Sequence, residues 1–328
     1  MKTRQFGRLD VAVSEIGFGA WAIGGTWGKV DDNESKAALH AALDAGVTFI
    51  DTADVYGDGH SERLIADVMK QRGGKRPFIA TKAGRRLPSQ AASGYTLENL
   101  SGFIDRSLKN LNTDALDLVQ LHCPSTDVYY RADIFGHMDH LVSIGKIKNY
   151  GVSVERVEEA LKAIEYPNVV SVQIIFNPFR QRPSGLFFAQ AKAKNIAVIS
   201  RVPLASGMLT GKFKANSTFE SDDHRQFNRN GEFFDVGETF GGVPYDVGLA
   251  AVERLRPLVD GNSTMATMAL RWILSFDAIT VVIPGAKNIS QAQANAAASD
   301  QPQMSHALRA GIGAVYNELI KPHVHHRW

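Results

Sequence analysis

Residues 169–201 read Val169-Val-Ser-Val-Gln-Ile-Ile-Phe176, a Pro-rich connection to Gly185, Leu186 to Ala193, Lys-Asn, and Ile196-Ala-Val-Ile-Ser-Arg201. Two short, mostly apolar runs rich in β-branched residues flank a helical stretch. That order implies a strand, a crossover helix and a second, parallel strand, buried on both faces. Upstream the pattern repeats. Leu116–His122 is a strand, and a helix over 133–145 is closed by Gly145. Ile147–Ser153 is the next strand, followed by a helix through Val157, Leu161 and Ile164. Earlier still, residues 3–13 turn at Gly7-Arg8-Leu9-Asp10 as a small hairpin, and Glu15–Ala20 is a first core strand. Asp31, Asp32 and Asn33 cap a helix that Gly46 ends, leading into a second strand, Thr48–Asp51. Ser61 and Glu62 open another helix, Phe78–Lys82 is the third strand, and Thr96 with Glu98 caps the helix after it.

Downstream of Arg201, residues 213–247 form a long, polar, Gly-rich insertion, expected to lie outside the core as a lid. Helical patterns return over 247–258 and 263–276. Ile279–Pro284 is an eighth strand, 288–298 its helix, and 303–320 an additional terminal helix. Eight apolar strands alternating with helices predict a parallel sheet, and eight is the number that closes into a (β/α)8 TIM barrel. The expected architecture is one domain over 1–328, with an N-terminal β-hairpin, a long loop after strand 7 and an extra C-terminal helix. The competing topology is a doubly wound open sheet. Its one support is Gly17-Phe-Gly19-Ala-Trp-Ala22, a formal dinucleotide fingerprint, but Gly24, Gly25 and Gly28 follow where a helix should start.

Lys plus Arg (36) against Asp plus Glu (34) leaves a net charge of +2 with no basic stripe, which argues against nucleic acid or a membrane surface as partner. The single cysteine, Cys123, rules out an internal disulfide framework and suits a reducing compartment. The first residues lack the apolar core of a signal peptide, and no apolar run approaches the roughly 20 residues of a membrane span. A cytoplasmic enzyme acting on a small molecule is expected; the oligomeric state is not legible.

Asp51, Lys82, His122, Ser153, Gln173 and Arg201 each lie at or near the carboxyl end of a successive strand. In a barrel those ends converge on one mouth, where barrel enzymes carry their sites. Alone, each residue has a structural explanation: a strand-end Asp caps a turn, a Lys is solvated, a His is satisfied in the core. Six on one rim point to chemistry. A free phenol, with a pKa of about 10, is a weak acid near neutrality, and a neighbouring ammonium favours its ionised form. Tyr56 with Lys82 therefore forms a proton donor, Asp51 holds Lys82, and His122 orients a carbonyl oxygen. None of these supplies a hydride, so a cofactor is implied.

These residues sit in motifs that together resemble the aldo-keto reductase family. The motifs are Phe49-Ile-Asp-Thr-Ala with Val55-Tyr-Gly57, Ala80-Thr-Lys82, Leu121-His-Cys-Pro124, Gly151-Val-Ser153, Val172-Gln173, Pro203 to Lys212, and Ile283-Pro-Gly-Ala-Lys287. The resemblance implies NADP(H), with NAD(H) as the alternative, bound without a Rossmann domain. It makes Asp51, Tyr56, Lys82 and His122 a catalytic tetrad with Tyr56 as general acid. It places Ser153 and Gln173 on the nicotinamide carboxamide. Pro203, Leu204, Ser206, Gly207 and Lys212 would wrap the pyrophosphate, and Gly285, Lys287, Gln291 and Asn295 would surround the adenosine. Trp21 becomes an aromatic wall of the substrate pocket. Val154 stands where the family often has Asn. Arg201 ends strand 7 where many members stack a ring on the nicotinamide, as in a bacterial branch with Arg there. Gly285 and Gln291 replace basic residues, leaving Lys287 as the cation for a 2′-phosphate.

Cys123 reads as a small strand-end hydrophobe, and His323, His325 and His326 as a solvated tail, so no metal site is expected. The leading expectation is a reductase of aldehydes or ketones, with bulky cyclic ketones or sugars among the substrates. An NAD-linked sugar or alcohol dehydrogenase and a nucleotide-sensing subunit resembling channel β subunits are the alternatives. Metal-assisted hydrolysis ranks last. Pocket identity in such barrels lies in the loops, here 21–30, 84–95, 123–132 and 213–247, which carry Trp21, Trp27, Tyr95, Tyr129 and Tyr130 together with polar residues.

Overall fold

A hairpin of β1 (Thr3–Gln5) and β2 (Ala12–Ser14), paired with Thr3 opposite Ser14, opens the chain. Its computed structural model describes every residue except Thr26, Lys29 and Asn262; the first two fall inside the expected substrate loop over 21–30. The hairpin has a specific task. Phe6, in its turn, is fully buried and stacks against Phe49 and Phe78, with ring centroids 5.7 and 5.0 Å away. It seals one end of a sheet built from β3 (Phe18–Gly19), β4 (Phe49–Asp51), β5 (Phe78–Ala83), β6 (Leu118–His122), β7 (Tyr150–Ser153), β8 (Val169–Ile175), β9 (Ala197–Arg201) and β10 (Ile279–Val282).

All neighbouring pairs in this sheet are parallel and follow chain order. Parallel bridges from Ile16 to Val282 and from Gly19 to Gly285 join the first strand region to the last, so the expected barrel closes. The first strand is shorter than the 15–20 expected, because Glu15 is drawn into the hairpin floor by Arg4 (2.9 Å). A Cβ on Gly19 would lie 2.7 Å from the Ile283 carbonyl oxygen. The glycines of the formal fingerprint thus serve backbone approach at the barrel seam.

Around the sheet lie α1 (Asp32–Asp44), α2 (His60–Arg72), α3 (Leu97–Leu111), α4 (Ala132–Ser143), α5 (Val157–Ala163) and α6 (Leu186–Ala193). The short α7 (His224–Phe227) belongs to the insertion. It is followed by α8 (Tyr245–Leu255), α9 (Met265–Leu274), α10 (Ile289–Ala297), α11 (His306–Val315) and α12 (Lys321–Val324). Caps fall where the sequence puts them: Asp31 accepts from the Asn33 and Glu34 amides, and Thr96 from Asn99. The terminal helix starts at His306 and runs beyond 320, through a π-turn over Tyr316–Ile320 into α12. No helix among the described residues is long and apolar enough to cross a membrane.

The insertion departs from expectation. His224, Asn228 and Phe240 are fully or almost fully buried, and Phe240 belongs to the main core. The Asn228 side-chain oxygen accepts from the Phe233 and Phe234 amides (2.9 Å each), an internal order that polar composition alone does not disclose. Polar side chains here replace a regular ladder in satisfying the backbone.

Candidate active site

Register places the rim. Asp51 sits beside Ala80, Lys82 beside Gln120, His122 beside Ser153, Ser153 beside Gln173, and Ile175 beside Arg201. Lys82 is almost wholly buried, and its Nζ donates to Asp51 Oδ2 (2.6 Å), the Thr52 carbonyl (2.9 Å) and Tyr56 Oη (3.1 Å). Tyr56 arrives on the loop after β4, where Gly57 adopts φ 58° and a Cβ would meet the Gly24 oxygen at 2.0 Å. That contact admits only glycine, and it fixes the turn that aims the phenol. His122 stands edge-on to the Tyr56 ring, with centroids 6.0 Å apart.

The electrostatics follow from burial. Burial raises the Tyr56 phenol above its ordinary pKa, and the Lys82 charge only partly counters it. The expectation that Lys82 would hold the phenol below its free value is therefore corrected: Tyr56 keeps its proton. Burial opposes the charge on Lys82, but Asp51 and Tyr56 hold it above its usual value, so it stays an ammonium. Burial, then Arg85, Lys82 and Arg201, drive His122 well below the usual imidazole range, so it is neutral. Its buried Nδ1 has no hydrogen-bond partner among the described residues. Such a set can donate a proton to an oxygen and stabilise the phenolate left behind.

The other expected residues divide. Trp21 lines a cavity of about 410 Å³ beside Tyr56 and stacks near its ring at 6.0 Å. Ser153 is buried next to Cys123, with Oγ 3.4 Å from Sγ. Gln173, expected on a carboxamide, donates to Asp51 Oδ1 at 2.7 Å, and Gln120 reaches the same oxygen at 3.3 Å. Arg201, expected as a stacking plane, donates to Glu155 Oε2 (2.8 Å) and the Val154 carbonyl (3.0 Å), with Glu238 at 3.6 Å. Tyr95 and Tyr129 are buried in the core and Tyr130 is exposed on the surface, so none of the three is a pocket wall. Trp27 instead packs against His224, with ring centroids 4.4 Å apart.

In the segment expected on a pyrophosphate, Val202, Ala205, Ser206 and Gly207 all take positive φ, in a tight turn that includes buried Pro203 and half-buried Leu204 and leads to exposed Lys212. Ser206 Oγ donates to the Glu238 carbonyl (2.9 Å) and accepts from the Phe240 amide (3.2 Å), so this turn carries the insertion. Lys287 precedes the N-terminus of α10 and donates to the Trp27 carbonyl. Its amide bonds Gln291 Oε1 (2.9 Å), while Asn295 Nδ2 bonds the exposed Gly285 carbonyl (3.1 Å). A lysine at the start of a nine-residue helix suits a phosphate. The left-handed turn and the neutral His122 beside a charged Lys82 suit the rest of a nicotinamide dinucleotide.

Sequence reading missed the opposite wall. Arg85 donates to Glu238 Oε1 (2.5 Å) and to Glu155 Oε1 (3.4 Å), completing a four-charge cluster with Arg201. Burial holds the Glu155 carboxyl up at about 7, partly offset by Arg201. Burial also opposes ionisation of Glu238, yet Arg85 and Arg201 hold that carboxyl down at about 2. Phe233, Phe234 and Asp235 join Glu238 in lining the cavity. All four lie in the insertion over 213–247, and Glu238 carries no local sequence signal. Donor atoms of Cys123, Glu155 and Glu238 lie within 4.8 Å of one another, but both carboxylates already face arginines and burial pushes the thiol up to about 12. That set fits a metal poorly. His325 of the expected solvated tail is instead bonded to Tyr316 Oη (2.8 Å).

A closed eight-stranded barrel with Asp, Tyr, Lys and His around one mouth defines a class, and the comparisons agree. The sequence model described as the Aldo/keto reductase family matches residues 15–310, and the chain belongs to that family. Aldo-keto reductase YhdN of Bacillus subtilis is 31% identical over 295 residues, 87% of this chain and 84% of that one. A probable voltage-gated potassium channel subunit beta of Arabidopsis thaliana is 26% identical over 321 residues, 92% of each. Among solved structures, the glycerol dehydrogenase AKR11B4 of Gluconobacter oxydans superposes with a TM-score of 0.75 at 25% identity, covering 98% of this chain and 96% of that one. Oxidoreductase chemistry on carbonyls is what the family shares.

Proposed function

We propose that this chain is a cytoplasmic, NADP(H)-dependent reductase of small aldehydes or ketones. The observation that carries the proposal is the Lys82 ammonium, held by Asp51 and donating to Tyr56 Oη beside a neutral His122. The bound nicotinamide would supply or accept the hydride at the carbonyl carbon. Tyr56 gives its proton to the carbonyl oxygen, Lys82 stabilises the phenolate, and His122 orients that oxygen. Run in reverse, the same phenolate removes the alcohol proton. Lys287 would hold the 2′-phosphate, and the turn at 203–207 the pyrophosphate.

The cavity narrows the substrate. Trp21, Phe233 and Phe234 offer apolar faces, while Gln90, Arg85, Glu155, Asp235 and Glu238 offer donors and acceptors. Aromatic faces beside paired polar groups suit carbonyl compounds bearing several hydroxyls better than an aryl aldehyde. The name of the Gluconobacter enzyme, a glycerol dehydrogenase, supports the same reading.

Tryptophan quenching on titration with NADPH and, separately, NADH tests the cofactor; following NADPH oxidation with glyceraldehyde and with benzaldehyde tests the substrate. Tighter NADPH binding and faster glyceraldehyde turnover are expected. Reversed cofactor preference would point to an NAD-linked dehydrogenase. NADPH binding without turnover would favour the nucleotide-sensing role, to which the channel-β relative also points. Binding of neither nucleotide would overturn the proposal.

A further inference from the structure

Beside the Arg85, Glu155 and Arg201 charges, the stretch 233–238 adds Phe233, Phe234, Asp235 and Glu238 to the pocket lining, and it is held from two sides. One hold is Glu238 on Arg85 and Arg201. The other lies behind the wall and comes from far along the chain. Trp328, almost wholly buried, donates its indole Nε1–H to Asp235 Oδ1 at 2.9 Å. The Arg180 guanidinium, on the loop after β8, lies 4.2 Å from the indole centroid and donates to the Gly241 carbonyl at 3.2 Å. The chain is moulded on this pair. A Cβ on Gly242 (φ 78°) would stand 2.4 Å from Trp328 Cη2, and one on Gly237 would stand 2.7 Å from Arg180 Nη1. Trp328 therefore touches both ends of the 235–242 turn, and among the described residues no hydrogen bond or ring contact joins it to Asp51, Tyr56, Lys82 or His122.

We propose that Trp328 is a positioning residue that sets the depth of the substrate pocket, by clasping the 235–242 turn between its indole and Arg180. The proposal rests on the reductase reading for its kinetic consequence, but not for its structural one. With the clasp intact, Asp235 and Glu238 stand at fixed distance from Tyr56, and only small carbonyl compounds are admitted. With the indole removed, Asp235 loses a donor and the turn loses the surface that shaped it.

The test pairs two readouts on Trp328→Ala and Trp328→Phe. Amide hydrogen exchange over 235–242 should accelerate at least tenfold in Trp328→Ala and less in Trp328→Phe, which keeps a ring against Arg180. In steady-state kinetics the KM for glyceraldehyde should rise about tenfold in Trp328→Ala, with kcat within about twofold and the NADPH Kd unchanged. Activity on bulkier carbonyl compounds should rise relative to the parent. Unchanged exchange, or faster exchange with an unchanged KM and the same substrate range, overturns the proposal. If Trp328→Ala does not fold, Trp328→Phe decides it by the same two readouts, with smaller shifts. A parent that binds no NADPH and reduces nothing would sink the reductase reading alone; the exchange rates would then decide whether the clasp exists.

Discussion

The pocket has two sides of different construction. On one, Asp51, Lys82 and His122 stand on adjacent parallel strands whose register leaves one arrangement, and Tyr56 follows Asp51 by five residues. On the other, Arg85, Glu155, Arg201 and Glu238 meet from three loops and a strand end, up to 153 residues apart in the chain. The first side is ordered by the sheet, the second by charge. The comparison teaches that a barrel can keep its proton chemistry fixed while the groups that sort substrates change with the loops.

The strongest way to break this division is Tyr56→Phe. If the strand side alone carries proton transfer, kcat should fall about 10²- to 10⁴-fold, while the NADPH Kd from tryptophan quenching stays within twofold. Full turnover would remove the phenol from the mechanism. Next is Lys82→Met, which strands the buried Asp51 carboxylate with only amide donors. Stability by urea unfolding should drop by about 3 kcal/mol, together with a loss of activity. A variant as stable as the parent would show that the ion pair is not the keystone of this side.

The charged wall makes a different prediction. Because the folded-state pKa of Glu155 is raised to about 7, the folded chain holds a proton that the unfolded chain releases near 4.3. Its contribution is present at low pH and is lost as pH rises through about 7. Stability should decline between about pH 4.5 and 7 by an amount on the order of 2 kcal/mol and level off above that. Glu155→Gln should remove that share of the decline and leave the share of Asp54, whose carboxyl burial likewise holds at about 7, as seen in melting temperatures at pH 5.5 and 8. An unchanged slope would place the titration elsewhere. The smallest effect sharpens the comparison from outside both walls: Lys287→Met should weaken NADPH about tenfold and leave NADH alone, measured by the same fluorescence titration.

What could be read in advance follows the same line. The barrel and the meeting of Asp51, Tyr56, Lys82 and His122 on its rim were legible because apolar strands end in polar residues at regular spacing, and because Phe49 to Gly57 is a continuous motif. The strand 7 arginine was also legible as a position, but not its partners. Glu238 reaches Arg201 only because Asn228 and Ser206 fold the insertion inward through side-chain bonds to backbone, which leave no periodic trace. Gln173 likewise could be placed on the rim but not turned: whether its amide faces a ligand or Asp51 is decided by the carboxylate oxygen left open by Lys82. The sign of the Tyr56 shift was misjudged for a related reason. A neighbouring ammonium is visible in a sequence, whereas the depth of burial that outweighs it is not.

The Phe6 plug has a consequence for traffic. With the hairpin sealing one end of the barrel, everything that reaches Tyr56 enters and leaves through the same doorway. A nucleotide lying along the rim would form part of the floor on which the carbonyl compound rests. Under the proposed function, arrival would then have an order, nucleotide first and substrate second, with departure in reverse. The small aromatic turn at the start of the chain would thus impose a queue on a reaction taking place at the opposite end.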